Sequence, residues 1–142
     1  MAPCRLGRRA GNPSVSTAWK EFLGYGRNFA SAVPTLFTKI INREIPAEIV
    51  YEDEHCVAFK DINPQAPVHL LIVPRAEITG IATVPDSGDH QFLLNAARKI
   101  AEMLHLNGGY RVVINQGLDA GQTVDHLHAH LLGGRKLNWP PG

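Results

Sequence analysis

An α+β domain is predicted, with a mainly antiparallel five-stranded sheet, one long helix and one short one. Three observations carry this. About five short apolar or alternating runs lie between residues 48 and 132, each bounded by Gly, Pro, Asn or Asp. Most links between them are too short for the dozen or more residues that a parallel crossover needs. One segment, 89–105, repeats its apolar residues at helical spacing. At 142 residues the chain has room for one domain with a true core.

Thr35, after Pro34, can cap a short helix carrying Leu36, Phe37, Ile40 and Ile41, which Ile45-Pro46 ends. Residues 48–51 and 56–61 read as a hairpin turning at Asp53-Glu54. Pro64-Gln65-Ala66-Pro67 is a turn. The next run, 68–73, is almost continuously apolar, as a strand covered on both faces would be, and Pro74 stops it. Residues 85–89 offer several helix N-caps. Phe92, Leu93, Ala96, Ala97, Ile100, Met103 and Leu104 then mark the long helix, with Asn107-Gly108-Gly109 as its C-cap and turn. Residues 110–115 alternate as a strand, 116–122 form a loop with glycines near both ends, and 124–132 is the last strand. Gly133-Gly134 ends it, and the proline pair in the tail 138–142 excludes regular structure there.

The first 33 residues differ from the rest. Arg5, Arg8, Arg9, Lys20 and Arg27 face a single acid, Glu21, so this segment is basic while the remainder is net acidic. A basic disordered arm, an alternative start and an organelle targeting segment all fit an Arg- and Ser-containing, acid-poor stretch. The domain proper is expected over 34–142. The location is accordingly expected to be cytoplasmic, or mitochondrial or plastid if residues 1–33 are a transit peptide. No apolar run approaches the roughly 20 residues of a membrane helix. A net charge of +1 gives no steering toward nucleic acid or anionic lipid. The cysteines, Cys4 and Cys56, form no Cys-x-x-Cys pair, which suits a reduced compartment.

Chemistry concentrates in His126-Leu127-His128-Ala129-His130, which holds three of the seven histidines. On a strand, all three rings leave one face, and Leu127, Ala129 and Leu131 leave the other. A solvated polar face is the plain reading. A metal site is another, but at ~3.3 Å rise per residue the outer two histidines sit about 13 Å apart, too far for all three to meet one ion. Two neighbouring rings together with His69 can. The third reading is catalysis: a neutral imidazole attacks phosphorus and splits one hard displacement into two. The middle ring, His128, then has a partner on each side. The preceding loop fits an anion: Gly117 and Gly121 free the backbone, Gly121-Gln122-Thr123 offers N–H groups and a hydroxyl, and Asn115 an amide. Neither a Walker A sequence nor a Gly-x-Gly-x-x-Gly fingerprint is present.

The run His-apolar-His-apolar-His-apolar-apolar over 126–132 resembles the histidine triad (HIT) superfamily of nucleotidyl hydrolases and transferases. Phe37-Thr38-Lys39-Ile40-Ile41, Tyr51-Glu52-Asp53, Ala58-Phe59-Lys60-Asp61-Ile62, Pro64-Gln65-Ala66-Pro67, Gly133-Gly134-Arg135 and Trp139-Pro140-Pro141-Gly142 are similar to its nucleotide-binding protein branch. The resemblance spans residues 37–142. It implies a purine nucleoside phosphoramidase, hydrolysing the P–N bond of adenosine or guanosine phosphoramidates, and aminoacyl-adenylates, through a nucleotidyl-histidine. His128 would be the nucleophile; His126 and His130 would orient it and contact phosphate or leaving group, and His69 would be the fourth active-site histidine. Asp61 would hold the ribose hydroxyls, though it also reads as a strand-end turn residue. Phe37, Ile40, Ile45, Phe59 and Ile62 would line the base pocket, though they read equally as core. Asn115, Gly121, Gln122 and Thr123 would bind phosphate. No metal and no cofactor is implied, nor a nucleic-acid or membrane partner. A homodimer is, with the sheet continued across it and the tail near the partner's site. Two positions depart from the pattern: Thr123 replaces a common Ser, and Asp125 stands where an aromatic is frequent, its direction open. Alternatives are a dinucleoside polyphosphate hydrolase, against which Trp-Pro-Pro-Gly argues, a nucleotide-binding scaffold with incidental catalysis, and a metal-binding protein.

Overall fold

A computed structural model describes residues 33–142, so the expectations for the basic arm and for Cys4 lie outside the described residues. Helix α1 spans Leu36–Ile41 and is capped as its sequence predicts: extended Thr35 accepts the Thr38 N–H on Oγ1 at 3.1 Å. Its end lies before Ile45-Pro46. Arg43 takes a left-handed φ of 63°, and the N–H groups of Glu44 and Arg43 return to the carbonyls of Lys39 and Ile40 at 2.8 and 3.0 Å. That closes the helix by a Schellman motif without glycine.

Strands β1 (Ile49–Glu52) and β2 (Cys56–Lys60) form the hairpin, turned by Asp53, whose Oδ1 accepts the N–H groups of His55 and Cys56 at 2.9 and 2.8 Å. Strand β3 is Val68–Pro74, β4 Tyr110–Val113 and β5 Ala129–Gly133. The sheet runs β1-β2-β3-β5-β4 with every neighbouring pair antiparallel, the predicted fold class. Pro74 closes β3 from inside the ladder, opposite Cys56, so its carbonyl remains for other use.

Several elements are shorter than expected: β4 stops at Val113, and the long helix and β5 lose more. Helix α2 is Leu93–Met103, because Asp89–Phe92 forms a 3₁₀ turn first. Asp89 is drawn away from capping: its carboxylate bonds His55 Nδ1 and the Ala76 N–H at 3.0 and 3.1 Å. At the other end His105 supplies the left-handed residue (φ 54°), and Leu106 N–H reaches Ala101 O at 2.9 Å. The glycines beyond only turn the chain. Strand β5 starts at Ala129 instead of 124. Residues 124–128 approach it as irregular chain, tied by the Leu127 N–H to Ile78 O at 2.6 Å.

Both faces of the sheet are covered. Under α2 lies one cluster, with Leu70, Ile72, Ala96, Ile100, Leu127, Ala129 and Leu131. Under α1 lies a second, with Leu36, Phe37, Ile40, Val57, Phe59, Leu71 and Val73. Among the described residues, no helix is long and apolar enough to cross a membrane.

Candidate active site

The three histidines do not share one regular strand, yet the expected sidedness holds. Leu127, Ala129 and Leu131 all enter the α2-side core. The His126 and His128 rings meet the edge of Phe37, from the α1-side core, at centroid distances of 6.0 and 5.0 Å, and His128 meets His130 at 5.0 Å.

Hydrogen-bond partners fix the proton on each ring. His126 is fully buried. Its Nε2 faces Pro74 O at 3.0 Å, and a carbonyl only accepts, so Nε2 carries the hydrogen. Its Nδ1 then accepts from Thr35 Oγ1 at 2.8 Å. His128 donates from Nδ1 to the His126 carbonyl at 2.8 Å, leaving Nε2 with its lone pair. That Nε2 has no partner among the described residues and is not sealed; the sealed, unpaired side-chain polar atom there is His90 Nδ1.

A second chain of bonds runs beside it. The Gln65 N–H donates to His69 Nδ1 at 3.0 Å, so His69 carries its proton on Nε2. That proton lies between His130 Nδ1 at 2.9 Å and Asp61 Oδ2 at 3.4 Å. His130 accepts on Nδ1 and therefore holds its own hydrogen on Nε2. The site thus presents a bare nitrogen on His128 beside an N–H on His130.

Burial keeps these rings neutral. Desolvation pulls the pKa values of His126 and His128 below 6.5. It does the same at His69, where Asp61 opposes it. His130 is pushed to about 4 by burial and by repulsion from His128 and His69.

The anion loop is built differently from its expectation. Gly117 and Gly121 both take left-handed φ, 80° and 81°. Two of the expected donors are spent inside the loop: Gly121 N–H goes to Leu118 O at 2.9 Å and Gln122 N–H to Gly117 O at 3.0 Å. The Gln122 side chain is buried, accepting from Gly117 N at 2.8 Å and donating to Thr79 O and Val124 O at 2.7 and 3.2 Å. It shapes the loop. Thr123 is exposed, and neither its hydroxyl nor the Asn115 amide is bonded to another described residue, so these donors are open. Asp125 is exposed between buried Val124 and His126, so its carboxylate faces solvent.

Of the residues expected to line a base pocket, Phe37, Ile40 and Phe59 have at most 1% of their surface exposed and belong to the α1-side core. Ile45 and Ile62 are partly buried against them and offer surface to a ligand. Asp61 fits its reading as a strand-end turn residue: Oδ1 accepts the Asn63 N–H at 2.8 Å, while Oδ2 faces His69. For a metal, ligand atoms of Asp61, His69 and His130 lie within 4.8 Å of one another. An ion there would have to replace the His69–His130 hydrogen bond. His126 belongs to no such group.

Sequence reasoning passed over Glu77. Its carboxylate accepts from the Thr38 hydroxyl and from the Thr35 N–H (3.4 Å), beside the Thr35 hydroxyl that serves His126. Thr35 and Thr38 read locally as cap and helix residues; nothing in the string joins them to a histidine some ninety positions away.

The chain matches the HIT domain model over residues 42–137. It is similar to the 14 kDa zinc-binding protein of Zea mays, 51% identical over 113 residues covering 77% of this chain and 88% of that protein. Among solved structures it is similar to a HIT family hydrolase from Legionella pneumophila, at 50% identity and a TM-score of 0.70, over 75% of this chain and 98% of that one. A histidine triad nucleotide-binding protein from Candida albicans gives 33% identity and a TM-score of 0.65 over 75% and 82%.

Proposed function

The chain belongs to the HIT domain family, and on that footing we propose that it is a purine nucleoside phosphoramidase working through a nucleotidyl-histidine. One observation carries the reading: His128 gives its Nδ1 hydrogen to the His126 carbonyl and keeps an unpaired, accessible Nε2. The hydrolase and nucleotide-binding descriptions of the Legionella and Candida proteins support the same class.

In this mechanism the His128 Nε2 lone pair attacks phosphorus. The ring becomes positive, and the His126 carbonyl stabilises it through the Nδ1–H bond. The P–N bond breaks; the His130 Nε2–H hydrogen-bonds the departing nitrogen, which takes its proton from solvent. His69 Nε2–H, at His130 Nδ1, orients that donor. Water then attacks the nucleotidyl-histidine, loses its proton to solvent and releases the monophosphate with His128 restored. Thr123 and Asn115 offer the open donors for phosphate oxygens, with the Gly121-Gln122 turn presenting them. Asp61 receives the ribose hydroxyls, and Ile45 and Ile62 flank the base. The working form is a homodimer that pairs at β4, an edge of the sheet, so a solution mass of twice 15.6 kDa is expected.

Replacing His128 with Ala tests the reading. Turnover of an adenosine phosphoramidate should fall by at least about a thousandfold while AMP still binds. Undiminished turnover sinks the mechanism, and loss of wild-type activity to a chelator would favour a metal at Asp61, His69 and His130.

A further inference from the structure

His126 is the triad member with no open edge: it is fully buried, and both ring nitrogens are bonded. Its partner leads outward. Thr35 Oγ1 lies 2.8 Å from His126 Nδ1 and 3.0 Å from Thr38 Oγ1, and the Thr38 hydroxyl bonds Glu77, an exposed residue. A hydroxyl has one hydrogen, so the order can be worked out. A carboxylate only accepts, so the Thr38 hydrogen goes to Glu77. Thr35 accepts the Thr38 N–H on its oxygen and is free to donate its own hydrogen. Nδ1 of the Nε2–H tautomer is the buried acceptor in need of it. Without Glu77, the Thr38 hydroxyl has two other acceptors, Thr35 Oγ1 and His126 Nδ1 at 3.5 Å, and the order is lost.

We propose that Glu77, Thr38 and Thr35 are positioning residues: a hydroxyl relay, in which Glu77 takes the Thr38 hydrogen and leaves Thr35 to give its own to Nδ1, that secures the seat of His126 in the tautomer Pro74 sets, and through its carbonyl the aim of the His128 nucleophile. The relay crosses three elements, joining the turn after β3, the cap of α1 and the approach to β5. Its catalytic consequence rests on the phosphoramidase reading; its structural part does not.

Imidazole ¹⁵N resonances of the ligand-free full chain test it. Wild-type His126 should read as an Nε2–H ring with a hydrogen-bonded Nδ1. Thr35→Val should move the Nδ1 resonance toward a free imine nitrogen, and Thr35→Ser should bring it back. Glu77→Ala should move it part of the way and lower kcat by between about three- and tenfold, with KM unchanged. Glu77 is exposed, so this variant keeps the test decisive if Thr35→Val, which also loses the helix cap, fails to fold. An unmoved Nδ1 resonance in either variant overturns the relay, as does Glu77→Ala with wild-type kcat. If the resonances move while even the wild type turns over no phosphoramidate, the relay stands and the reaction reading falls.

Discussion

At the scale of residues, the candidate site depends on where four ring protons sit. Carbonyls and backbone N–H groups place them: Pro74 O and His126 O each hold a ring hydrogen, and the Gln65 N–H forces the His69 tautomer that leaves His130 with its hydrogen on Nε2. If the His130 Nε2–H assists the leaving nitrogen, its loss should hurt most when the leaving group most needs a proton. His130→Ala should slow an alkylamine phosphoramidate by about 10²–10⁴-fold and a substrate with a strongly acidic leaving group far less. Equal losses on both substrates would remove His130 from that role. The histidines themselves were legible in the sequence, spaced two apart and alternating with apolar residues. Their tautomers were not, because each is set by a main-chain group or by a hydroxyl from a distant segment.

At the scale of elements, the loop 116–122 is held by one buried side chain. Gln122 uses both ends of its amide on backbone groups of Gly117, Thr79 and Val124. Gln122→Ala strands those groups and should cost about 1–3 kcal/mol. Thermal melting should show the loss, and KM should rise as the Thr123 donors lose their seat; an unchanged melt and KM would deny the loop this bracket. The long helix, the hairpin and the buried β3 were legible from apolar spacing and turn residues. Helix ends were not, since Arg43 and His105 take the left-handed position where sequence rules look for glycine. The start of β5 was also hidden. The 124–128 run alternates as a strand would, but its Leu127 N–H goes to Ile78 and not into the ladder.

At the scale of the whole molecule, a cluster of buried neutral histidines links stability to pH. The unfolded chain protonates its histidines near pH 6.5; in the fold, His69, His126, His128 and His130 do so only lower, His130 at about 4. Below 6.5 the unfolded state therefore binds more protons, so stability is full above that pH and falls as pH drops toward 4. Each such histidine contributes up to about 1.4 kcal/mol per pH unit in that window. Melting temperatures measured from pH 7.5 to 4.5 should decline steadily below 6.5, and a flat profile would mean the rings are not held neutral. The same low values keep His128 nucleophilic below pH 6.5. The central claim is that this ring is covalently nucleotidylated during turnover, which mass spectrometry addresses directly. A reaction with an adenosine phosphoramidate, quenched within milliseconds in alkaline denaturant to preserve the P–N bond, should yield a peptide carrying one adenylyl group on His128; steady turnover with no adduct there, or an adduct on another residue, would contradict it.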